Sequence, residues 1–222
     1  MPDYSQARLN MVDCQVRPAD VTDLTIISAM LSVPRERFVP PSSQSVAYID
    51  EDISLDISTH DCPRYLMEPA SLAKLLQLAN IQPDAVVLDV GCATGYSTAI
   101  LSRLCSSVVA LEQDKILYAK ASENLAELEV DNAVVLKCDL EKGYPKESPY
   151  DAIFVGGAVD YIPDNLLEQL KNGGNLVCVV GTGNTGRATL YVRENGIASK
   201  STHFNCAIWP IPGFRKQVEF VL

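Results

Sequence analysis

Histidine is nearly absent: His60 and His203 are the only two in 222 residues. A zinc site or a Ser-His-Asp hydrolase would have to be built from one of them. No H-x-x-E-H or G-x-S-x-G stretch supports either, so no metal site and no triad are expected. The seven cysteines are scattered and odd in number, and none forms a C-x-x-C pair. They read as reduced thiols of a cytoplasmic protein, several of them buried, rather than as a disulfide framework. Lys/Arg-rich blocks are missing too, and the formal charge is −10. Affinity for nucleic-acid backbone comes from neutralising phosphates, so no nucleic-acid partner is expected. No stretch approaches the ~18 apolar residues of a membrane span, and the first residues have neither a basic start nor an apolar run. What remains is an ordinary globular balance, 47% hydrophobic and 21% charged. That length and composition predict one domain, or one domain with an appendage.

Apolar spacing divides the chain. Leu24, Ile27 and Leu31, following an Asp cap in the stretch from Asp20, predict an amphipathic helix. Pro34, Pro40 and Pro41 then break the chain, and 42–59 is polar and acidic. Residues 1–67 are therefore expected to form a helical appendage and a covering loop, and 68–222 the main domain. A helix restarts at Glu68-Pro69, with Leu72, Leu75, Leu76 and Ala79 in register. Short apolar runs follow at 85–90, 108–111, 134–136, 152–155 and 176–180, separated by helical patterns from Asp114 and over 163–171. Such alternation predicts a doubly wound, mostly parallel α/β sheet covered on both faces. Strands at 189–193 and 217–222, with no helix between them, predict an antiparallel C-terminal edge.

The sharpest local signal is Val87-Leu88-Asp89-Val90-Gly91-Cys92-Ala93-Thr94-Gly95-Tyr96-Ser97. It sets Gly91 and Gly95 in the turn between the first sheet strand and its helix, where ligands of open parallel sheets bind. A dinucleotide fingerprint would need glycine at 93 and 96, and a P-loop a Gly-Lys-Ser/Thr ending; both are missing. Glu112 lies 21 residues beyond Gly91, the separation at which a carboxylate accepts from ribose hydroxyls. A ribose without a pyrophosphate, and positive charge near an acidic loop, describe S-adenosyl-L-methionine.

The chain resembles class I S-adenosylmethionine-dependent methyltransferases, Rossmann-like α/β/α sandwiches built on a seven-stranded sheet. More closely it is similar to the protein-L-isoaspartate O-methyltransferase family. The likeness is carried by Val33–Pro40 with Ala47-Tyr48, by the loop Gly91–Tyr96, by Pro149–Ile153 with Ile162-Pro163, and by Gln169–Gly174 running into Val180-Gly181. The resemblance implies methylation of an abnormal protein carboxylate, in repair of damaged proteins or peptides, with S-adenosyl-L-homocysteine as product. It places Asp89, Gly91, Cys92, Ala93, Gly95 and Tyr96 around the methionine half of the cofactor, Glu112 on the ribose, and Asp139 and Leu140 beside the adenine.

One stretch departs from the family. Aligned on Pro69, the family's Thr-Ile-Ser segment reads Tyr65-Leu66-Met67 here. Met67 stands where a substrate-site hydroxyl would be, and packing is its expected role. Ser58 and Thr59 are the nearby hydroxyl candidates. Arg35, Arg37 and Arg64 are candidate partners for an acceptor carboxylate, since the guanidinium fork binds one bidentately. A carboxylate acceptor is ionised at neutral pH and needs no general base. Two alternatives follow from Met67: a methyltransferase of the same fold with another acceptor, or a non-catalytic cofactor-binding module.

Overall fold

The computed structural model describes residues 3–56 and 62–216. The chain opens with α1 (Tyr4–Met11), whose Asp3 cap accepts the Gln6 N–H, and π-helical and 3-10 turns carry it to Ala19. Asp20 takes a left-handed conformation that closes those turns. The next helix, α2 (Leu24–Ser32), is capped instead by Asp23, which accepts from the N–H groups of Thr25 and Ile26. Its buried face is Ile26, Ile27, Ala29 and Met30; Leu24, expected on that face, is exposed. A two-pair antiparallel hairpin, β1 (Ile53–Ser54) with β2 (Tyr65–Leu66), leads into α3 (Pro69–Ala79). Proline opens α3 where an N–H would go unused, and Asn80 closes it in the left-handed region.

From there strands and helices alternate: β3 (Val86–Val90), α4 (Tyr96–Leu101), β4 (Ser107–Glu112), α5 (Lys115–Glu127), β5 (Ala133–Lys137), β6 (Tyr150–Val159), α6 (Asp164–Leu167), β7 (Leu170–Val180), β8 (Arg187–Glu194) and β9 (Ile197–Asn205). The seven-stranded sheet runs β5-β4-β3-β6-β7-β8-β9. Its first five strands are parallel and β8 and β9 antiparallel. This is the Rossmann-like arrangement expected, and the strand order reverses between β3 and β6, the place at which ligands of open α/β sheets bind.

One expectation needs correcting, and another falls partly outside the described residues. The helix over 163–171 shrinks to the four residues of α6, and Gly173-Gly174 lies inside β7 rather than ending a helix. The antiparallel edge exists, but β9 pairs with β8; the strand placed at 217–222 lies outside the described residues.

Alternate side chains of the parallel strands fill two cores. Val87, Ala110, Phe154 and Val177 face the layer of α3, α4 and α5. Leu88, Val90, Ile153 and Leu176 face a thinner cover of Leu140, Leu166, Ile211 and Phe214. Met11, Val16, Met30 and Phe38 of the N-terminal segment belong to the first core, so residues on either side of position 67 share one apolar cluster. Among the described residues, no helix is long and apolar enough to cross a membrane.

Candidate active site

The turn after β3 is pinned to the end of β4. The N–H groups of Gly91 and Cys92 both donate to the Leu111 carbonyl, at 2.9 and 3.1 Å. Gly95 caps α4 at φ +93, a conformation L side chains rarely adopt, and a Cβ there would meet Ala121 at 3.3 Å. Opposite the turn, a Cβ on Gly156 would sit 2.9 Å from the Gly91 carbonyl oxygen. The backbones of β6 and of the loop thus approach each other as only glycine allows. The pair Gly156-Gly157 was missed from the sequence, although two glycines directly after an apolar run were a visible signal.

Asp89 is fully buried. Its Oδ2 accepts from the hydroxyls of Ser97 and Thr98 at 2.7 Å each, and its Oδ1 has no partner among the described residues. Burial, and more weakly the charge of Glu112, push its carboxyl up to about 6 against the pull of the two hydroxyls. Cys92 is buried, and burial raises its thiol well above the ordinary range, so it is an inert wall. Tyr96 is buried edge-on to Phe38, with ring centroids 5.3 Å apart, and carries the Arg35 guanidinium 4.9 Å above its ring. Leu140 is buried under Gly91, whereas Asp139 is exposed and paired with Lys142 at 2.5 Å.

Glu112 ends β4 fully buried and saturated with donors. Oε1 accepts from the main-chain N–H groups of Gln113 at 2.9 Å and Asp114 at 3.0 Å, and Oε2 from that of Ala93 at 2.9 Å. Arg64 adds both ends of its fork, Nη1 to Oε1 at 2.7 Å and Nη2 to Oε2 at 2.9 Å, with Nη2 also 3.2 Å from the Gly91 carbonyl oxygen.

The three arginines singled out in the sequence therefore have three different fates. Arg64 grips Glu112. Arg37 makes an exposed pair with Glu127 of α5 at 2.9 Å. Arg35, whose ordinary expectation was a surface charge, is completely buried, donating at 2.8 Å to the carbonyls of both Ala47 and Met67. It is unavailable to an acceptor. Met67 is buried in the first core and walls the small spaces above the loop, which fits the packing role expected of it. Ser58 and Thr59 lie outside the described residues.

Two cavities remain over the loop. One of about 20 Å³ lies between Tyr65, Met67, Gly91, Ala93 and Ser97. The other, about 10 Å³, lies between Asp52, Arg64, Met67, Gly157 and Trp209. Asp52 was not foreseen; its Oδ1 accepts the Glu68 N–H at 2.7 Å, and burial pushes its carboxyl up to about 6. Trp209 stacks on Tyr65 at 4.1 Å, with 9° between ring planes. Larger hollows exist elsewhere, such as one of about 330 Å³ lined by Asn80, Asp84 and Lys171, but it touches none of these groups.

The donor set fits S-adenosylmethionine. It offers a carboxylate fixed by main chain at a strand end, an oxygen of Asp89 unpartnered among the described residues, and a loop that glycine keeps open to close approach. The space above is taken by residues 62–67.

Residues 8–213 match the family model for protein-L-isoaspartate(D-aspartate) O-methyltransferase. A relative of that name from Methanoregula boonei is 36% identical over 80% of this chain and 79% of its own. Another, from Herpetosiphon aurantiacus, is 31% identical over 95% of this chain and 92% of its own. A solved protein-L-isoaspartate O-methyltransferase superimposes with a TM-score of 0.81 at 25% identity, covering 93% of this chain and 66% of that one. A Plasmodium falciparum structure, described as a putative enzyme of this name in complex with S-adenosyl-L-homocysteine, shares the fold with a TM-score of 0.77 at 21% identity and covers 98% of this chain and 100% of that one. The chain belongs to the protein-L-isoaspartate(D-aspartate) O-methyltransferase family and is an S-adenosylmethionine-dependent protein carboxyl O-methyltransferase.

Proposed function

We propose that this chain methylates the abnormal carboxylate of isoaspartyl residues in damaged proteins or peptides, at the carboxyl ends of β3, β4 and β6. The observation that carries the reading is Glu112: a buried carboxylate at the end of β4, held by three main-chain donors opposite the glycine turn. Glu112 takes the ribose hydroxyls, and the Gly91–Gly95 turn, with Asp89 behind it, takes the methionine half. Leu140 and Asp139 flank the adenine. Bound there, S-adenosylmethionine supplies an electrophilic methyl group on a sulfonium.

The work of the protein is then to hold the acceptor and to exclude water. Residues 1–67 serve as the cover and 68–222 as the cofactor-binding part. An acceptor carboxylate is already ionised, so no side chain need remove a proton, and the gain comes from orientation. The formal charge of −10 favours a protein acceptor over nucleic acid, and the seven free cysteines favour a cytoplasmic setting.

A second reading has one observation behind it. The strap from Arg64 to Glu68 carries no serine or threonine, and Asp52 rather than a serine lines the cavity beside Met67. An acceptor other than isoaspartate would suit that wall. Methyl transfer from labelled cofactor to an isoaspartyl peptide and to its aspartyl twin separates the two. Transfer to the isoaspartyl peptide alone is expected; transfer to neither, with S-adenosyl-L-homocysteine still raising the Tm, favours the second reading.

A further inference from the structure

Glu112 has more donors than places to put them. A carboxylate offers about four lone-pair sites, and five N–H groups already converge on this one: three from the main chain and two from Arg64. The main-chain donors belong to the turn after β3 and to the residues that start α5, and they cannot leave without dismantling the fold. Two ribose hydroxyls can therefore reach Glu112 only by replacing Arg64. The volumes agree. Spaces of about 10 and 20 Å³ hold a water at most, against the several hundred Å³ of a small-molecule site.

The strap that fills the site is lightly fastened. Its ladder is two residue pairs, Ile53 with Leu66 and Ser54 with Tyr65, extended by the Leu55 N–H donating to the Arg64 carbonyl at 3.0 Å. At its near end are Arg64 and the Tyr65–Trp209 stack; at its far end the Met67 carbonyl is anchored by Arg35. A released guanidinium needs another anion, since a partly buried unpaired charge is costly. Among the described residues Arg64 is the only cationic side chain lining the two cavities, and Asp52 lines one of them. A carboxylate acceptor entering beside Asp52 meets like charge unless Arg64 is there to receive it.

We infer that Arg64 is a specificity-determining positioning residue that exchanges carboxylates: it blocks the ribose position on Glu112 until the cofactor arrives, and then binds the carboxylate of the acceptor. Binding is consequently ordered, cofactor first. This rests on Glu112 being the ribose partner.

The test is calorimetric titration of S-adenosyl-L-homocysteine, and then of an isoaspartyl peptide, into the full chain and its R64Q and R64K variants. R64Q removes the competitor. It should bind S-adenosyl-L-homocysteine at least tenfold more tightly, because the unblocked form no longer has to be selected from a minor population. It should also bind the peptide at least tenfold more weakly once saturated with S-adenosyl-L-homocysteine. R64K, which keeps the charge without the fork, should fall between on both measures. In the unmutated chain the peptide should bind only when S-adenosyl-L-homocysteine is present. The single tryptophan, Trp209, reports the strap without any mutation: S-adenosyl-L-homocysteine should change its emission as Tyr65 moves. Unchanged or weaker S-adenosyl-L-homocysteine binding in R64Q, equal peptide binding with and without S-adenosyl-L-homocysteine, or a constant emission during measurable binding each overturns the exchange. No S-adenosyl-L-homocysteine binding by any form would instead overturn the assignment of Glu112 on which the exchange rests.

Discussion

Arg35 donates at 2.8 Å to the carbonyl of Met67, thirty-two residues away, from a position with no solvent exposure. Its Nε holds the Ala47 carbonyl at 2.8 Å and its flat face covers Tyr96. One side chain thereby ties three separate segments: the turn after Pro40, the start of α3, and the N-terminus of α4.

Replacing Arg35 by alanine should lower stability by about 3 kcal/mol or more, from two buried carbonyls left unpaired and the lost packing on Tyr96. Lysine should recover only part of this, because an ammonium cannot reach two carbonyls while lying flat on a ring. Urea denaturation of both variants checks it, and equal stability of R35K and the parent would refute the account.

Glu112→Gln should harm both folding and binding. It leaves Arg64 buried against a neutral amide, a loss of about 3–5 kcal/mol when a buried pair is broken. It also puts an NH₂ group where a main-chain N–H or a ribose hydroxyl must donate. A fall in Tm, together with S-adenosyl-L-homocysteine affinity reduced at least tenfold, is the expected result of thermal denaturation and calorimetry.

Asp89 makes stability depend on pH. Its folded-state value of about 6 lies above the ordinary 3.8, so the folded chain holds this proton longer than the unfolded one does. The contribution is complete below pH 4 and is lost as pH rises through 6, by about 3 kcal/mol at 1.36 kcal/mol per unit. Asp52, raised to about 6 by burial, acts in the same direction. Asp89→Asn cannot titrate, so between pH 4 and pH 7 the parent should lose stability relative to it. Parallel pH profiles for the two proteins would contradict this.

Met67→Ser should restore a hydroxyl at the acceptor wall while giving up buried volume. We expect a lower KM for isoaspartyl peptide and a loss of about 2 kcal/mol in stability. Steady-state kinetics alongside urea denaturation separates the two effects. An unchanged KM in a folded variant would mean that position 67 does not touch the acceptor.

Much of this was legible because local rules and tertiary structure agree there. The run 85–90, the glycine turn, Glu112 at its strand end and the helix from Asp114 all follow from spacing and from residue chemistry, and each lies within a residue of where it was expected. The failures have physical causes. β9 shows no alternation because an edge strand with most of its side chains in solvent has no apolar face to encode. Gly173-Gly174 looked like a helix end, but a Cβ at Gly174 would meet the carbonyls of Tyr150, Asp151 and Lys171 at 3.0–3.1 Å, so it marks a close approach within the sheet. Arg35 and Arg64 could be named but not placed, since their partners lie 12 to 48 residues away and no periodicity links them.

Glu112 has a thermodynamic consequence. Three main-chain donors hold its oxygens rigid whether or not Arg64 is present, so binding at this position orders nothing in the sheet. The entropy lost on binding falls on the ligand, and some is returned by whatever freedom residues 62–67 gain when Arg64 lets go. With Glu112 as the proposed ribose partner, cofactor affinity would be adjustable from the strap alone, through substitutions that leave every residue of the parallel sheet untouched.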